Sequence, residues 1–140
     1  MEQQFTVARK ILSRGLHPIL EPEIDINSPD KFDCEVILKQ NLLENLNKLR
    51  ADEKVMLKLT LPSVDNFYKD CIEHPNVLRV AALSGGYTRE KANDILSKNK
   101  NTVASFSRAL TEGLFLKDSE EEFNTKLEES ICSILRASLS

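Results

Sequence analysis

The lysine in Lys54-Val55-Met56-Leu57-Lys58-Leu59-Thr60-Leu61 sits in a run of β-formers, so its surroundings decide what its amine can do. Strand alternation sends Met56, Lys58 and Thr60 to one face and Val55, Leu57 and Leu59 to the other. If the lysine face is the inside of a closed sheet, burial disfavours the ammonium. The amine pKa then falls from the ~10.4 of a free side chain. A neutral amine can attack a carbonyl and condense to an imine. The alternative is an edge-strand lysine whose head reaches water and blunts the sheet edge. The segment Leu57-Lys58-Leu59 alone leaves both readings open.

Three further groups could serve the same chemistry. Glu21 and Glu23 bracket Pro22; two carboxylates on one strand face raise each other's pKa if buried together, which suits one of them to proton transfer. Solvated loop acids are the other reading. Ser84-Gly85-Gly86 follows an apolar run, and glycines there let backbone N–H groups approach an anion closely, although a plain strand-to-helix turn has the same composition. Arg108 follows Ser107 after the next apolar run. Its planar fork suits a phosphate, and equally a surface ion pair.

The elements that must position these groups alternate in type. A helix over Gln3 to Ser13 places Phe5, Ala8, Ile11 and Leu12 on one face, with Gly15 as its C-cap. The apolar run Leu16 to Leu20 reads as a buried strand ending in Glu21-Pro22-Glu23. Asn27-Ser28-Pro29-Asp30 starts a helix that presents Val36, Leu42, Leu43, Leu46 and Leu49 and ends near Arg50. Strands follow at Lys54 to Leu61, Val77 to Leu83 and Thr102 to Phe106. Between them lie helices at about Val64 to Glu73 and at Arg89 to Ser97, the latter capped by Thr88. Ser119 and Glu122 form a capping box for a closing helix, whose buried stripe is Phe123, Leu127, Ile131, Ile134 and Leu135. A helix followed by four βα units, without hairpin dipeptides, is an α/β fold with a parallel sheet and right-handed crossovers. Chemistry in such a sheet lies at the strand C-terminal ends, where the residues named above fall.

At 140 residues the chain is expected to form a single domain over residues 1–140. Apolar residues at 41% and charged residues at 29% suit a soluble globular protein. A net charge of -3 with dispersed basic residues gives no expectation of nucleic acid or a membrane as partner. Met1 to Lys10 lacks the apolar centre of a signal peptide, so a cytoplasmic protein is expected. Cys34, Cys71 and Cys132 fit reduced thiols packed as small hydrophobes. His17 and His74 read as structural, and no metal or cofactor is expected from their isolation.

Together, the segments GLHPILEPE, KVMLKLTLP, HPNVLRVAALSGGYTREKAN and ASFSRAL resemble the class I (Schiff-base) fructose-bisphosphate aldolases, the bacterial branch in particular. The resemblance covers nearly the whole chain, in the family's order and spacing. It implies the C-terminal half, strands five to eight, of a (β/α)8 TIM barrel. It implies that Lys58 forms the Schiff base and that Glu21 moves protons as the carbinolamine forms and breaks down, with Glu23 in support. Ser84, Gly85, Gly86 and Arg108 would hold a substrate phosphate. FSRAL departs from the animal pattern FSYGRAL in lacking Tyr-Gly.

The implied reaction is reversible cleavage of fructose 1,6-bisphosphate to dihydroxyacetone phosphate and glyceraldehyde 3-phosphate in glycolysis, with no cofactor. A transaldolase would also carry a lysine on a barrel strand, but the EPE and LSGG segments argue against one. A TIM barrel usually takes about 250 residues, and the family's first-strand aspartate and fourth-strand lysine have no counterpart here. The sugar-phosphate substrate is therefore joined by a second expected partner, a complementary N-terminal half-barrel or another copy of the chain. A non-catalytic half-barrel is the alternative.

Overall fold

The computed structural model describes residues 1–139. It contains helix α1 (Glu2–Leu12), strand β1 (Ile19–Leu20), α2 (Lys31–Leu46), β2 (Val55–Thr60), α3 (Lys69–Ile72) and β3 (Val77–Leu83). Then come α4 (Arg89–Ser97), β4 (Thr102–Ala104), α5 (Arg108–Thr111) and α6 (Glu120–Ser138). The four strands form one sheet in the order β1-β2-β3-β4, every neighbouring pair parallel. The expected α/β architecture of parallel βα units is present, and it corresponds to half of a TIM barrel.

Alternation in β2 sorts the sheet into two faces. Val55, Leu57 and Leu59 are buried in a core with Leu38, Leu42 and Leu46 of α2, Phe5 and Ala8 of α1, and Val80 of β3. A second cluster, around Leu61, Ala82, Ala92, Leu96, Phe106, Ala109 and Ala137, extends the core toward β4 and α6. Register carries the pattern across the sheet, because Leu57 pairs with Val80 and Leu59 with Ala82. The other face carries Met56, Lys58 and Thr60, with Arg79, Ala81 and Leu83 beside them. No helix covers Met56 and Lys58 completely; both are half-buried.

Several boundaries depart from expectation. The first strand is Ile19–Leu20 and not Leu16 to Leu20. Leu16, just past the left-handed Gly15, faces solvent, and Pro18 has no N–H to give a ladder, although its carbonyl accepts from Met56 N–H at 2.9 Å. Asn27 to Asp30 makes a turn, with Asp25 accepting from Asn27 and Ser28 N–H, and α2 begins only at Lys31. Val36 faces solvent; the inward face of α2 is Lys31, Glu35, Leu38, Leu42, Asn45 and Leu46. The helix expected from Val64 is confined to Lys69–Ile72, and β4 stops at Ala104.

The largest correction concerns α6. Its capping box forms as expected, Ser119 accepting from Glu122 N–H while the Glu122 carboxylate accepts from Ser119 N–H. The stripe named from periodicity, however, is met only in part: Ile134 packs against the core and Leu127 is half-buried. Phe123, Ile131 and Leu135 are exposed, the last at 54%. The inward residues are Ser130 and Ala137, with Ile134 packed beside them. Ala92 of α4, Ala109 of α5 and Ala137 meet in one cluster, so small side chains let these helices approach and the larger ones turn outward. Of the three cysteines only Cys71 packs in the core; Cys34 and Cys132 are exposed.

Candidate active site

Pairing register explains why Lys58 and Glu21 meet. Ile19 lies opposite Met56 on the lysine face of the sheet. Two residues on from each, Glu21 and Lys58 fall level, and Lys58 Nζ donates to Glu21 Oε2 at 2.8 Å. The Lys58 side chain keeps 27% of its exposure and that of Glu21 keeps 50%. Desolvation of the amine is thus partial on this open face. The shared burial of Glu21 and Glu23 considered above is also not met, since both are exposed. Ala81, itself buried, stands opposite Lys58 on β3.

A shallow pocket of about 140 Å³ collects the candidate groups. It is lined by Glu21, Glu23, Lys58, Leu83, Ser84, Gly85, Ser105, Ser107 and Arg108. Every predicted site residue except Gly86 lines it, and Gly86 is next in the chain to one that does. Ser105 belongs to the segment ASFSRAL but has no role in the sequence reading. It lies one residue past β4, level with Leu83, and its N–H donates to Ala82 O at 2.8 Å.

The glycine turn is shaped by its surroundings. Gly85 has φ 63°, and a Cβ there would sit 2.7 Å from Ile26 Cγ2. Gly86 has φ 111°, and a Cβ there would lie 3.7 Å from Arg108 Nη1, so the guanidinium stands directly over the turn. Ser84 is buried, and its carbonyl accepts from Tyr87 N–H at 3.0 Å to close the turn. Thr88 then caps α4, accepting from Lys91 N–H. The N–H groups of Tyr87, Arg89 and Lys91 here already have acceptors, in Ser84 O, Glu112 Oε2 and Thr88 Oγ1.

Arg108 owes its place to a contact that sequence reasoning missed. Arg89, the first residue of α4, donates from its backbone N–H to Glu112 Oε2 at 2.6 Å. Its guanidinium donates to Glu112 O at 2.8 Å and to Ala109 O at 3.4 Å. This clamp fastens the far end of α5 to the start of α4 and so holds Arg108 over Gly86. Nothing local in the sequence announces it, because the partners are 23 residues apart.

His17 and His74 lie at the opposite end of the sheet, where His17 Nδ1 is 3.2 Å from Lys54 O and His74 bridges Asn47 and Asn76. No helix among the described residues is long and apolar enough to cross a membrane.

The fold and this site define a parallel βα-repeat protein with an amine, a carboxylate, a glycine turn and a guanidinium gathered at the strand C-terminal ends. No protein-family model matches the chain. It is 57% identical over 139 residues to a class 1 fructose-bisphosphate aldolase of Porphyromonas gingivalis, covering 99% of this chain and 47% of that protein. It is also 54% identical over 140 residues to a class 1 fructose-bisphosphate aldolase of Synechocystis sp., covering 100% of this chain and 47% of that one. The chain is similar to class 1 fructose-bisphosphate aldolases along its whole length and spans about half the length of the curated relatives it matches.

Proposed function

We propose that this chain is the Schiff-base half of a cytoplasmic, glycolytic fructose-bisphosphate aldolase, acting on a sugar phosphate together with a complementary half-barrel. The observation that carries the reading is the 2.8 Å contact of Lys58 Nζ with Glu21 Oε2, beside the glycine turn and Arg108. In this mechanism Glu21 takes a proton from the Lys58 ammonium, and the freed amine attacks the ketone carbon of the substrate. Glu21 returns the proton as the carbinolamine loses water. A base of the complementary half takes the proton of the hydroxyl on the departing carbon, which leaves as an aldehyde. The protonated imine accepts the electron pair of the breaking carbon–carbon bond, which removes the need for a metal at the carbanion. Glu23 supports the proton relay. Ser84, Gly85, Gly86 and Arg108 hold a phosphate and so place the ketone against Lys58.

The pocket's size supports a partner. At about 140 Å³ it falls short of the roughly 300–1,000 Å³ of ordinary ligand sites. The rest of the cavity would come from the complementary half-barrel or from a second copy closing over the lysine face.

Borohydride trapping tests the assignment. The chain is incubated with dihydroxyacetone phosphate, reduced and digested, and a reduced adduct is expected on Lys58 by mass spectrometry. Absence of that adduct, both alone and with the complementary half, would remove the catalytic assignment and leave a non-catalytic half-barrel. An adduct without cleavage activity would mark a half-site that needs its partner.

A further inference from the structure

Thr60 lies on the lysine face of β2, two residues beyond Lys58, yet it is only 1% exposed. A buried threonine at the end of a strand needs partners for its hydroxyl, and Thr60 finds both on one residue of another segment. Its Oγ1 accepts from Ile24 N–H at 2.9 Å and its O–H donates to Ile24 O at 3.1 Å. This pair of bonds ties β2 to the loop that carries Glu21 and Glu23, across 36 residues of sequence. The methyl of the same side chain points at the glycine turn, lying 3.4 Å from where a Gly85 Cβ would be. Ile26, on the same loop, also approaches that turn, its Cγ2 2.7 Å from the same point. The acid loop, the lysine strand and the phosphate turn therefore converge on one side chain.

β1 cannot hold the acid loop by itself. It is two residues long and ends before Glu21. Past Leu20 the loop makes no ladder with β2, and the Thr60–Ile24 pair is the next point at which its backbone is tied to that strand. We infer that Thr60 is a positioning residue, whose hydroxyl sets the Lys58–Glu21 pair by fastening the acid loop to the lysine strand. It touches neither substrate nor reacting atoms; it acts through Glu21. The inference rests on the roles proposed above for Lys58 and Glu21, and its test separates the two.

The test uses the 140-residue chain in three arms. Thr60→Val keeps the shape and the contact toward Gly85 but removes both hydrogen bonds, whereas Thr60→Ser keeps the hydroxyl. The first arm measures acetylation of Lys58 by an activated acetate ester, referenced to exposed Lys48, with Glu21→Gln marking the unpaired amine. Thr60→Val should raise Lys58 modification about fivefold, the factor carried by an ordinary hydrogen bond, approaching Glu21→Gln, and Thr60→Ser should match the parent. An unchanged rate in Thr60→Val, or Thr60→Ser as fast as Thr60→Val, overturns the inference.

The second arm needs no variant. The Ile24 amide should exchange with deuterium about tenfold more slowly than the neighbouring Glu23 and Asp25 amides, as a buried hydrogen bond requires, and equal rates overturn the inference even if Thr60→Val fails to fold. The third arm traps dihydroxyacetone phosphate with borohydride, where Thr60→Val should lose adduct and Thr60→Ser retain it. If the parent traps nothing, the Schiff-base reading fails while the first two arms still decide the role of Thr60. If the parent traps and Thr60→Val traps equally, Thr60 has no part in positioning.

Discussion

The Lys31 ammonium lies against the Glu35 carboxylate one helical turn along α2, both buried, and the pair grips the end of the lysine strand. Lys31 also donates to Leu61 O at 3.0 Å and to Ser63 Oγ at 3.0 Å, while both Glu35 oxygens accept from Ser63 N–H at 3.1 Å. Glu35→Ala should destabilise the chain by about 3–5 kcal/mol, because it strands a buried ammonium. The double variant Lys31→Met, Glu35→Leu should cost clearly less than the sum of the single changes. Urea midpoints of Glu35→Ala, of Lys31→Met and Glu35→Leu singly and of the double variant check this; additive losses would mean the two charges do not act as a pair.

Gly85 and Gly113 share a left-handed backbone, at φ 63° and 82°, but not an environment. A methyl at Gly113 meets nothing within 4 Å, so Gly113→Ala should cost only the backbone strain of about 1–2 kcal/mol. At Gly85 the same strain is joined by the 2.7 Å approach of Ile26. Gly85→Ala should therefore lower the thermal midpoint well beyond Gly113→Ala, and Ile26→Ala in the same chain should recover part of the difference. Calorimetry on the three proteins decides it.

His74 gives the fold a dependence on mild acid. Burial, aided by the charge of Lys54, holds its imidazole below the usual histidine value of 6.5. Its Nδ1 accepts from Asn76 N–H at 3.2 Å, so the neutral ring carries its proton on Nε2, facing Asn47. The unfolded chain binds a proton first as pH falls below about 6.5. This contribution to stability is complete above that value and is lost as pH falls through the lower folded-state pKa. Urea midpoints should decline from pH 7 to pH 5 in the parent and decline less in His74→Gln. A parallel decline in both would assign the effect to other groups.

The open lysine face and the outward apolar residues of α6 should make the isolated chain associate. Ile131 and Leu135 border an apolar groove of about 440 Å³ with Val103, Phe106 and Leu110 beside the last strand, β4, whose Ala104 N–H is bonded to Ser138 Oγ. Apolar patches of this kind seek partners. Sedimentation should give a mass that rises with concentration in the micromolar range. Leu135→Glu should shift the distribution toward monomer; a stable parent monomer would contradict the expectation.

How far the sequence discloses this molecule depends on whether a feature is periodic or long-range. Alternation in Val55 to Thr60 sets the faces of the sheet without any fold in hand, because each step of a strand reverses the side chain. Ser119 with Glu122 announces α6 because a capping box is wholly local. Six of the seven residues that the motifs single out line one pocket, and Gly86 is next in the chain to one of them. Periodicity misjudged α6 because Ile131 and Leu135 recur at helical spacing whichever face is inside. What decides is the small size of Ala92 and Ala109 on the helices it meets. Thr60 and Arg89 stayed hidden for another reason: their partners are backbone groups 36 and 23 residues away, and a carbonyl has no letter in the sequence.

Strand order follows chain order throughout the sheet, so each strand neighbours only the ones made just before and just after it. During synthesis, every new βα unit can dock as it clears the ribosome, and no strand has to wait for a mate encoded far downstream. The same arrangement lets another unit be spliced beside β1 or β4 without breaking any ladder already formed, so a sheet of this kind can be lengthened by joining genes at either end.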